Sequence, residues 1–538
     1  MSDPISTNAE PDGIPVTDVR SMRRGFSGWG ASALAFTSIR PLIGFSLAAL
    51  LIKSAGLASW LALAVLLMLM MVVAAVFGAL SSRWPLEGSV ASWSRQLIGP
   101  RAGLLVGWAY VCSYLLFMSS LAFFDTQRIL YSLGLPAPDH LAAACFAVVI
   151  IAVTTILNSV SRRLQAGVMY VAGAVSIGGV LVFGTLLITH AQRGFGDLVR
   201  NPNASGIDWA WWTGPFLAAL AFASATALRG FEMPAEVAEE VPQPRRTVPR
   251  AMLWTLLVGG LVTLYGVIAV AVSVPGADAV SGEFAQNPYA STVVTAVEQT
   301  LGLGPARILS ALLVVATFAA GSLCQLAASR TLWTMARDRE VPKHSWLNRL
   351  SARERLPRNA LITVGVIGAI LPFLLSAKAA FVLAGVSAAP LMLAFVVPLI
   401  GLITARRRDD WAPGPWSPGR WLEPLSIIGA AAVTALGLNV LWPREAQYGE
   451  GSSAWHPLII FAAVVVAGLI LMAWAFRDNG AHVRKHDHVD RDLHQRILLA
   501  HTGTCSVCHR GLAHGEEVFW NPEAHVTICA TCAEDVVV

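Results

Sequence analysis

The sequence predicts an all-α polytopic membrane protein carrying a small, separate C-terminal unit. Three observations predict it. Apolar runs of about 20 residues, the length that crosses a hydrocarbon core, recur along most of the chain. Hydrophobic residues fill 55% of the 538 positions and charged residues only 13%, with a mean hydropathy of +0.61; soluble domains carry about a quarter charged. Composition then changes after Arg477: eight of the 12 histidines follow Ala481, and four of the seven cysteines follow Thr504. The net charge of +5 comes from Lys and Arg in short loops, the positive-inside pattern of membrane proteins. The implied partner is a lipid bilayer, not nucleic acid.

Taken in order, residues 1–24 are polar and lack an apolar core, so they read as a disordered cytoplasmic lead and not a signal peptide. The membrane domain is expected over 25–477. Its first span, Trp29 to Lys53, is interrupted at Ser38-Ile39-Arg40-Pro41-Leu42-Ile43-Gly44. Ala58–Leu80, Ala102–Phe124, Leu141–Leu157 and Gly167–Thr189 follow as continuous spans. The basic loop Ser81 to Arg101 reads as cytoplasmic, and His190 to Asp208 as external. Asn158 reads as a helix cap, and Cys112, Cys145 and Cys324 as small core residues.

The stretch from Trp209 to Arg250 organises the chain. Trp209, Trp211 and Trp212 suit a helix entering the headgroup layer. Midway, Leu228-Arg229-Gly230-Phe231-Glu232 and then Pro234 break the helix, since interior Gly costs roughly 1 kcal/mol and Pro roughly 3. A broken backbone at bilayer depth is tolerated only where it lines protein or water. Glu239, Glu240 and Pro244 to Arg250 read as a cytoplasmic exit, and Glu236, Glu239 and Glu240 as an inner vestibule or solvated face. Ala251–Val274, an outer segment Pro275–Gly304, Arg307–Thr331, Ala360–Leu375, Phe381–Thr404, Trp421–Leu441 and His456–Phe476 complete roughly twelve spans. Both termini are expected on the cytoplasmic side of the cell membrane.

The first and sixth spans are each broken, and each break carries one arginine. Two interrupted spans at corresponding positions of two halves point to the binding site of an inverted-repeat transporter. A charge at bilayer depth costs at least about 2.5–3.5 kcal/mol and is a functional candidate by default. Arg40 and Arg229 cannot be deprotonated. Each is expected to act as a fixed cation or as a clamp for a second carboxylate; the alternative is a structural ion pair of Arg229 with Glu232 or Glu236.

Several blocks carry a family resemblance. Phe231-Glu232, Ala238-Glu239-Glu240, Pro244-Arg245-Arg246 and Val248-Pro249-Arg250, with Ala328-Ser329-Arg330 and Met335-Ala336-Arg337-Asp338, resemble two blocks of the amino acid–polyamine–organocation (APC) superfamily. Trp84 to Ser89 and Trp93 resemble the turn after the second span of these permeases. Phe36-Thr37-Ser38-Ile39 resembles the amino acid–choline transporter group. The resemblance covers roughly Gly25 to Arg477. It implies a LeuT-type five-plus-five inverted repeat with two extra helices. It further implies a secondary transporter of amino acids or related amines, not an enzyme. By that resemblance the substrate contacts are Ser38, Ile39, Pro41 and Gly44 at the first break, and Leu228, Gly230 and Phe231 at the sixth. Glu232, typical of the family there, is expected in the same site as a gate or a cross-helix partner, and Arg40 and Arg229 join the site on the charge argument above. Free N–H groups at a half-helix start would attract a carboxylate, and unwound carbonyls would take the amine. The fifth-span lysine common in sodium-independent relatives is missing from Gly167 to Thr189, so the coupling ion, H+ or Na+, stays open.

Residues 478–503 form a charged linker, read as helical or disordered, and 504–538 a zinc-ribbon-like cytoplasmic domain. Cys505-x2-Cys508 and Cys529-x2-Cys532 lie 20 residues apart, a spacing suited to one structural Zn2+ held by four thiolates. His509 or His514 could replace one cysteine. Disulfides are the alternative, disfavoured in a reducing compartment. Glu517–Trp520 and His525–Ile528 alternate like two strands joined by Asn521-Pro522-Glu523. A membrane sensor signalling through this tail is the alternative function.

Overall fold

The computed structural model describes residues 39–160, 162–199, 209–238, 241–274, 292–351, 356–374, 377–408 and 410–478, and in the tail 495–498, 503–504, 510–512, 516–521 and 526–529. Ser38, Glu239, Glu240, Cys505, Cys508, Cys532, His509 and His514 lie outside them. The chain divides into two compact units, 23–472 and a second made of 1–22 with 473–538.

Among its described residues the regular structure of the large unit is all helical. The first span enters them as α1 (Pro41–Ser46) and α2 (Ala48–Ala55), and is followed by α3 (Trp60–Arg83), the short α4 (Ser89–Leu97) and α5 (Pro100–Leu133). Next come α6 (His140–Val160), α7 (Arg162–Thr189), α8 (Trp209–Thr213), α9 (Pro215–Thr226) and α10 (Met233–Glu236). Then α11 (Pro244–Ser273), α12 (Thr292–Leu301), α13 (Leu303–Arg337), α14 (His344–Leu347) and α15 (Arg358–Leu374) follow. The series ends with α16 (Ala377–Val386), α17 (Ala388–Arg407), α18 (Leu422–Leu441), α19 (Glu445–Tyr448) and α20 (His456–Asp478). Among the described residues nine helical stretches are long and apolar enough to cross a bilayer, with Arg358–Leu374 a shorter apolar helix.

Burial sorts these helices into an inner and an outer set. The apolar window of α5 is 78% buried and that of α13 67%, whereas that of Gly451–Arg477 is 11% buried. The outer helices expose Ile156, Val171, Leu438 and Ile470, surfaces that suit contact with acyl chains. Glycines let the inner helices approach. A Cβ on Gly260 would lie 2.4 Å from Leu67 Cδ1, and one on Gly266 2.6 Å from Phe45 Cδ2.

Helix ends depart from the apolar runs in a consistent direction. The helix α5 continues nine residues past Phe124, through Asp125, Gln127 and Arg128. Helices extend beyond the hydrocarbon because their backbone bonds are internal, while hydropathy reports only the apolar part. The run from Pro244 to Arg250, expected as a cytoplasmic exit, likewise forms the first two turns of α11. Pro244 sits at the helix start, where its missing N–H is no loss, and Gln243 ahead of it is left-handed with φ 47°.

One end of the bundle gathers the blocks singled out by sequence. Arg330 Nη1 donates to Glu87 Oε1 at 3.0 Å, with both side chains fully buried. Arg95 on α4 pairs with Asp338 and, at 2.7 Å, with Glu340. Asn158 is not a cap. It donates to Ser322 O at 3.0 Å and Gln325 Oε1 at 3.3 Å and accepts from Gln165 Nε2 at 2.8 Å, so it ties α6 to α7 and α13.

In the tail, β1 (Gln495–Leu498), β4 (Glu517–Asn521) and β5 (Val526–Cys529) form an antiparallel sheet with β4 in the centre. Val518 faces Cys529 and Phe519 faces Ile528. A separate two-stranded sheet joins β2 (Gly503–Thr504) and β3 (Gly511–Leu512). The linker expected to be helical or disordered therefore supplies a strand, β1, which pairs Ile497 with Val518.

Candidate functional site

The site is built on one face of α5. Tyr110, Ser113, Tyr114 and Phe117 follow at positions i, i+3, i+4 and i+7, a spacing that puts them on one side of a helix. All four are buried. Against this face lie the two interrupted spans.

At the first break the backbone turns at Arg40, which is left-handed with φ 58° and ψ 56°. Such a conformation costs an L-residue roughly 1–2 kcal/mol. Pro41 then starts α1. The N–H groups there are not free for a ligand. Pro41 has none, Leu42 donates to Ser176 Oγ on α7 at 3.0 Å, and Ile43 and Gly44 donate to the Arg40 carbonyl at 3.0 and 3.2 Å. The backbone cradle expected at this break is therefore already filled. Ile39 and Gly44 serve packing: a Cβ on Gly44 would sit 2.5 Å from Thr263 Cγ2, and one on Gly259 2.5 Å from Ile39 Cγ2.

The Arg40 side chain does remain available. It is 3% exposed. Its guanidinium lies over the Phe117 ring at 5.0 Å, and Nη2 reaches Cys324 Sγ at 3.8 Å. Among the described residues Nε and Nη1 have no hydrogen-bond partner and Arg40 has no ion pair. Cys324, read from sequence as a core residue, is thus also a wall of this site.

At the sixth break α9 ends at Thr226 and the chain passes through Leu228, φ 55°, and Gly230, φ 88°. Arg229 folds back onto the end of α9. Nη1 donates to Ala225 O at 3.1 Å and to Ser387 Oγ at 2.7 Å; Nη2 donates to Ser113 Oγ at 2.8 Å. A cation on the last carbonyls of a helix also meets the negative end of its dipole. The guanidinium carbon lies 4.4 Å from the Phe117 centroid. Arg229 makes no ion pair with Glu232 or Glu236: hydroxyls and carbonyls hold it directly.

Glu232 accepts hydrogen bonds through Oε1 from Tyr114 and from Tyr110 at 3.2 Å, while its Oε2 has no partner among the described residues. Glu236 is buried, not solvated. It accepts from Ser89 and from Thr331 Oγ1 at 3.3 Å, away from the two arginines. Phe231 turns away as well, into an aromatic cluster 5.6 Å from Phe395 and 6.1 Å from Phe77. The structure thus gathers Arg40, Arg229 and Glu232 around Tyr114 and Phe117, and leaves Ile39, Gly44 and Phe231 as packing residues beside them. The α5 residues escaped sequence reasoning. Their signal was the recurrence of Tyr, Ser, Tyr and Phe at helical spacing inside an otherwise aliphatic span.

A family model described as amino acid permease matches residues 26–470. The branched-chain amino acid permease of Lactococcus lactis is 26% identical over 413 residues, 71% of this chain and 81% of that protein. The low-affinity putrescine importer of Escherichia coli is 24% identical over 301 residues, 54% of this chain and 62% of that protein. Other curated relatives are spanned over about half of their own length, 54% in one case and 53% in another. A mutant of the manganese transporter of Eremococcus coleocola shares the fold, with a TM-score of 0.54 over 85% of this chain and 94% of that one, at 14% identity.

Proposed function

The chain belongs to the amino acid permease family, and on that premise we propose that it is a secondary active transporter that moves amino acids or related amines by alternating access. The observation that carries this reading is the meeting of two interrupted spans on one ring: Arg40 from the first break and Arg229 from the sixth both stack on Phe117. Broken helices that meet in the interior are where such transporters hold ligand. Family membership and the shared fold support a LeuT-type five-plus-five repeat, with roughly twelve spans when the two broken ones are counted, a number that suits the length. Of the choline-group likeness Phe36 to Ile39, only Ile39 lies among the described residues.

The mechanism follows from the chain's own groups. Substrate enters from one side and sits between the breaks. Its carboxylate meets the open donors of Arg40, and its ammonium meets Glu232 Oε2. Rocking of one helix set against the other opens the opposite side. The pairs Arg330–Glu87 and Arg95–Asp338–Glu340 close one end of the bundle and must rearrange when that end opens. Lys and Arg in the loops support a cytoplasmic side for this end and for both termini, in a cell membrane. In the tail, paired C-x2-C knuckles support one structural Zn2+ on Cys505, Cys508, Cys529 and Cys532. A pure sensor would bind but accumulate nothing, and none of the relatives lends that alternative support.

Uptake of a labelled amino acid and amine panel into proteoliposomes, with and without sodium and a pH gradient, tests the reading. Accumulation of at least one substrate is expected. Binding without accumulation of any of them would convert the reading to a sensor.

A further inference from the structure

We propose that Arg40 is an anion ligand and that the preferred substrate carries net negative charge, as an acidic amino acid does. The proposal rests on the transporter reading above and narrows its substrate class.

The argument is one of charge and unmet donors. Arg40 and Arg229 sit on the same Phe117 ring, so their guanidinium carbons lie no farther apart than 5.0 Å and 4.4 Å laid end to end. Both side chains are buried at 3% exposure. Glu232, even fully ionised, offsets one of the two cations. The other buried carboxylates among the described residues have partners elsewhere: Glu236 at Ser89 and Thr331, Glu87 at Arg330, Asp125 at Arg128 and Thr317, and Glu340 at Arg95. Removing one partner of a buried pair leaves an uncompensated charge that is strongly destabilising, so an excess cation kept in the interior calls for an anion.

The two arginines divide the work. Arg229 has both terminal nitrogens engaged by Ala225 O, Ser387 and Ser113 and only Nε open, so it contributes mainly field. Arg40 has Nε and Nη1 open. A guanidinium presents such donors as a planar fork that matches a carboxylate. The α-carboxylate on Arg40 and the ammonium on Glu232 Oε2 would leave the site with one positive charge. A side-chain carboxylate removes it; a neutral side chain does not, and a cationic one doubles it. The filled N–H cradle at Pro41 to Gly44 fits the same picture: the side chain of Arg40 takes the part of the helix N-terminus.

The test compares L-glutamate, L-aspartate, L-leucine and putrescine as labelled probes, using the full-length protein in proteoliposomes, with binding read separately by thermal shift. An acidic amino acid should exceed leucine and putrescine by roughly tenfold or more, the worth of one charge-assisted hydrogen bond. Arg40→Gln should erase that difference, and Arg40→Lys, which keeps the charge but not the fork, should retain its direction at reduced size. If Arg40→Gln fails to fold, the unmutated panel alone decides. Preference for leucine or putrescine in the unmutated protein overturns the anion site while leaving the transporter reading intact. Equal loss of all four probes in Arg40→Gln overturns it as well, since Arg40 would then be structural. Glutamate-dependent thermal stabilisation that Arg40→Gln removes, with no accumulation of any probe, upholds the anion site and overturns the transporter reading.

Discussion

Breaking the Glu87–Arg330 pair should destabilise the bundle more than replacing both partners together. The two side chains are fully buried, with Nη1 3.0 Å from Oε1. At an effective dielectric of about 20 the gross attraction at that distance is roughly 5 kcal/mol, before desolvation is charged against it. Replacing one partner leaves the other ion buried without this counter-charge, a loss of up to about 3–5 kcal/mol. Replacing both by neutral groups removes the stranded charge and should recover most of that loss. The assay is a double-mutant cycle on purified protein in detergent, following thermal unfolding of Glu87→Gln, Arg330→Met and the double variant. Each single variant should melt clearly below the unmutated protein, and the double variant no lower than the worse single one. If the two losses simply add, the ions are not coupled and the reasoning fails.

Gly230→Leu should abolish uptake while leaving expression intact, because φ is 88° there and an L-residue in that region costs roughly 1–2 kcal/mol; normal transport by the variant would count against a substrate site at the break. Gly266→Ala should lower the melting temperature by a loss of about 1–3 kcal/mol from overpacking, since its Cβ would meet Phe45 at 2.6 Å and Val180 at 2.8 Å; an unchanged melt would show that α11 can shift freely. Asn158→Leu should cost about 1–3 kcal/mol by orphaning Gln165 and Ser322, a loss readable in the same melt. The reduced full-length protein should hold one equivalent of zinc by elemental analysis, and truncation after Asn479 should remove the metal while uptake persists. Absence of stoichiometric zinc from the full chain would refute the four-cysteine site.

What the sequence showed and what it hid divide along one line. Breaks were legible because Arg40-Pro41 and Arg229-Gly230 interrupt apolar runs locally, and a broken helix in lipid has few other meanings. Packing partners were not. Nothing around Arg229 names Ser113 or Ser387, which lie 116 and 158 residues away and meet it only through the fold. Similar separation hid the role of Asn158 toward α13, whose Ser322 and Gln325 lie 164 and 167 residues away. Gly44 and Phe231 adjoin breaks and so read as ligand contacts, yet the close approach of α1 to Thr263 on α11 and the rings of Phe77 and Phe395 claim both for the core. Tyr110 and Tyr114 looked like ordinary span residues until Glu232 gave their hydroxyls an acceptor.

The central claim is that substrate moves through a site shared by the two breaks. Counterflow is its most direct measurement: proteoliposomes loaded with unlabelled substrate are diluted into trace labelled substrate, with no imposed ion gradient. The account predicts a transient overshoot of label for at least one amino acid or amine, lost in Gly230→Leu. A folded, substrate-binding protein that shows no overshoot with any of them would contradict it.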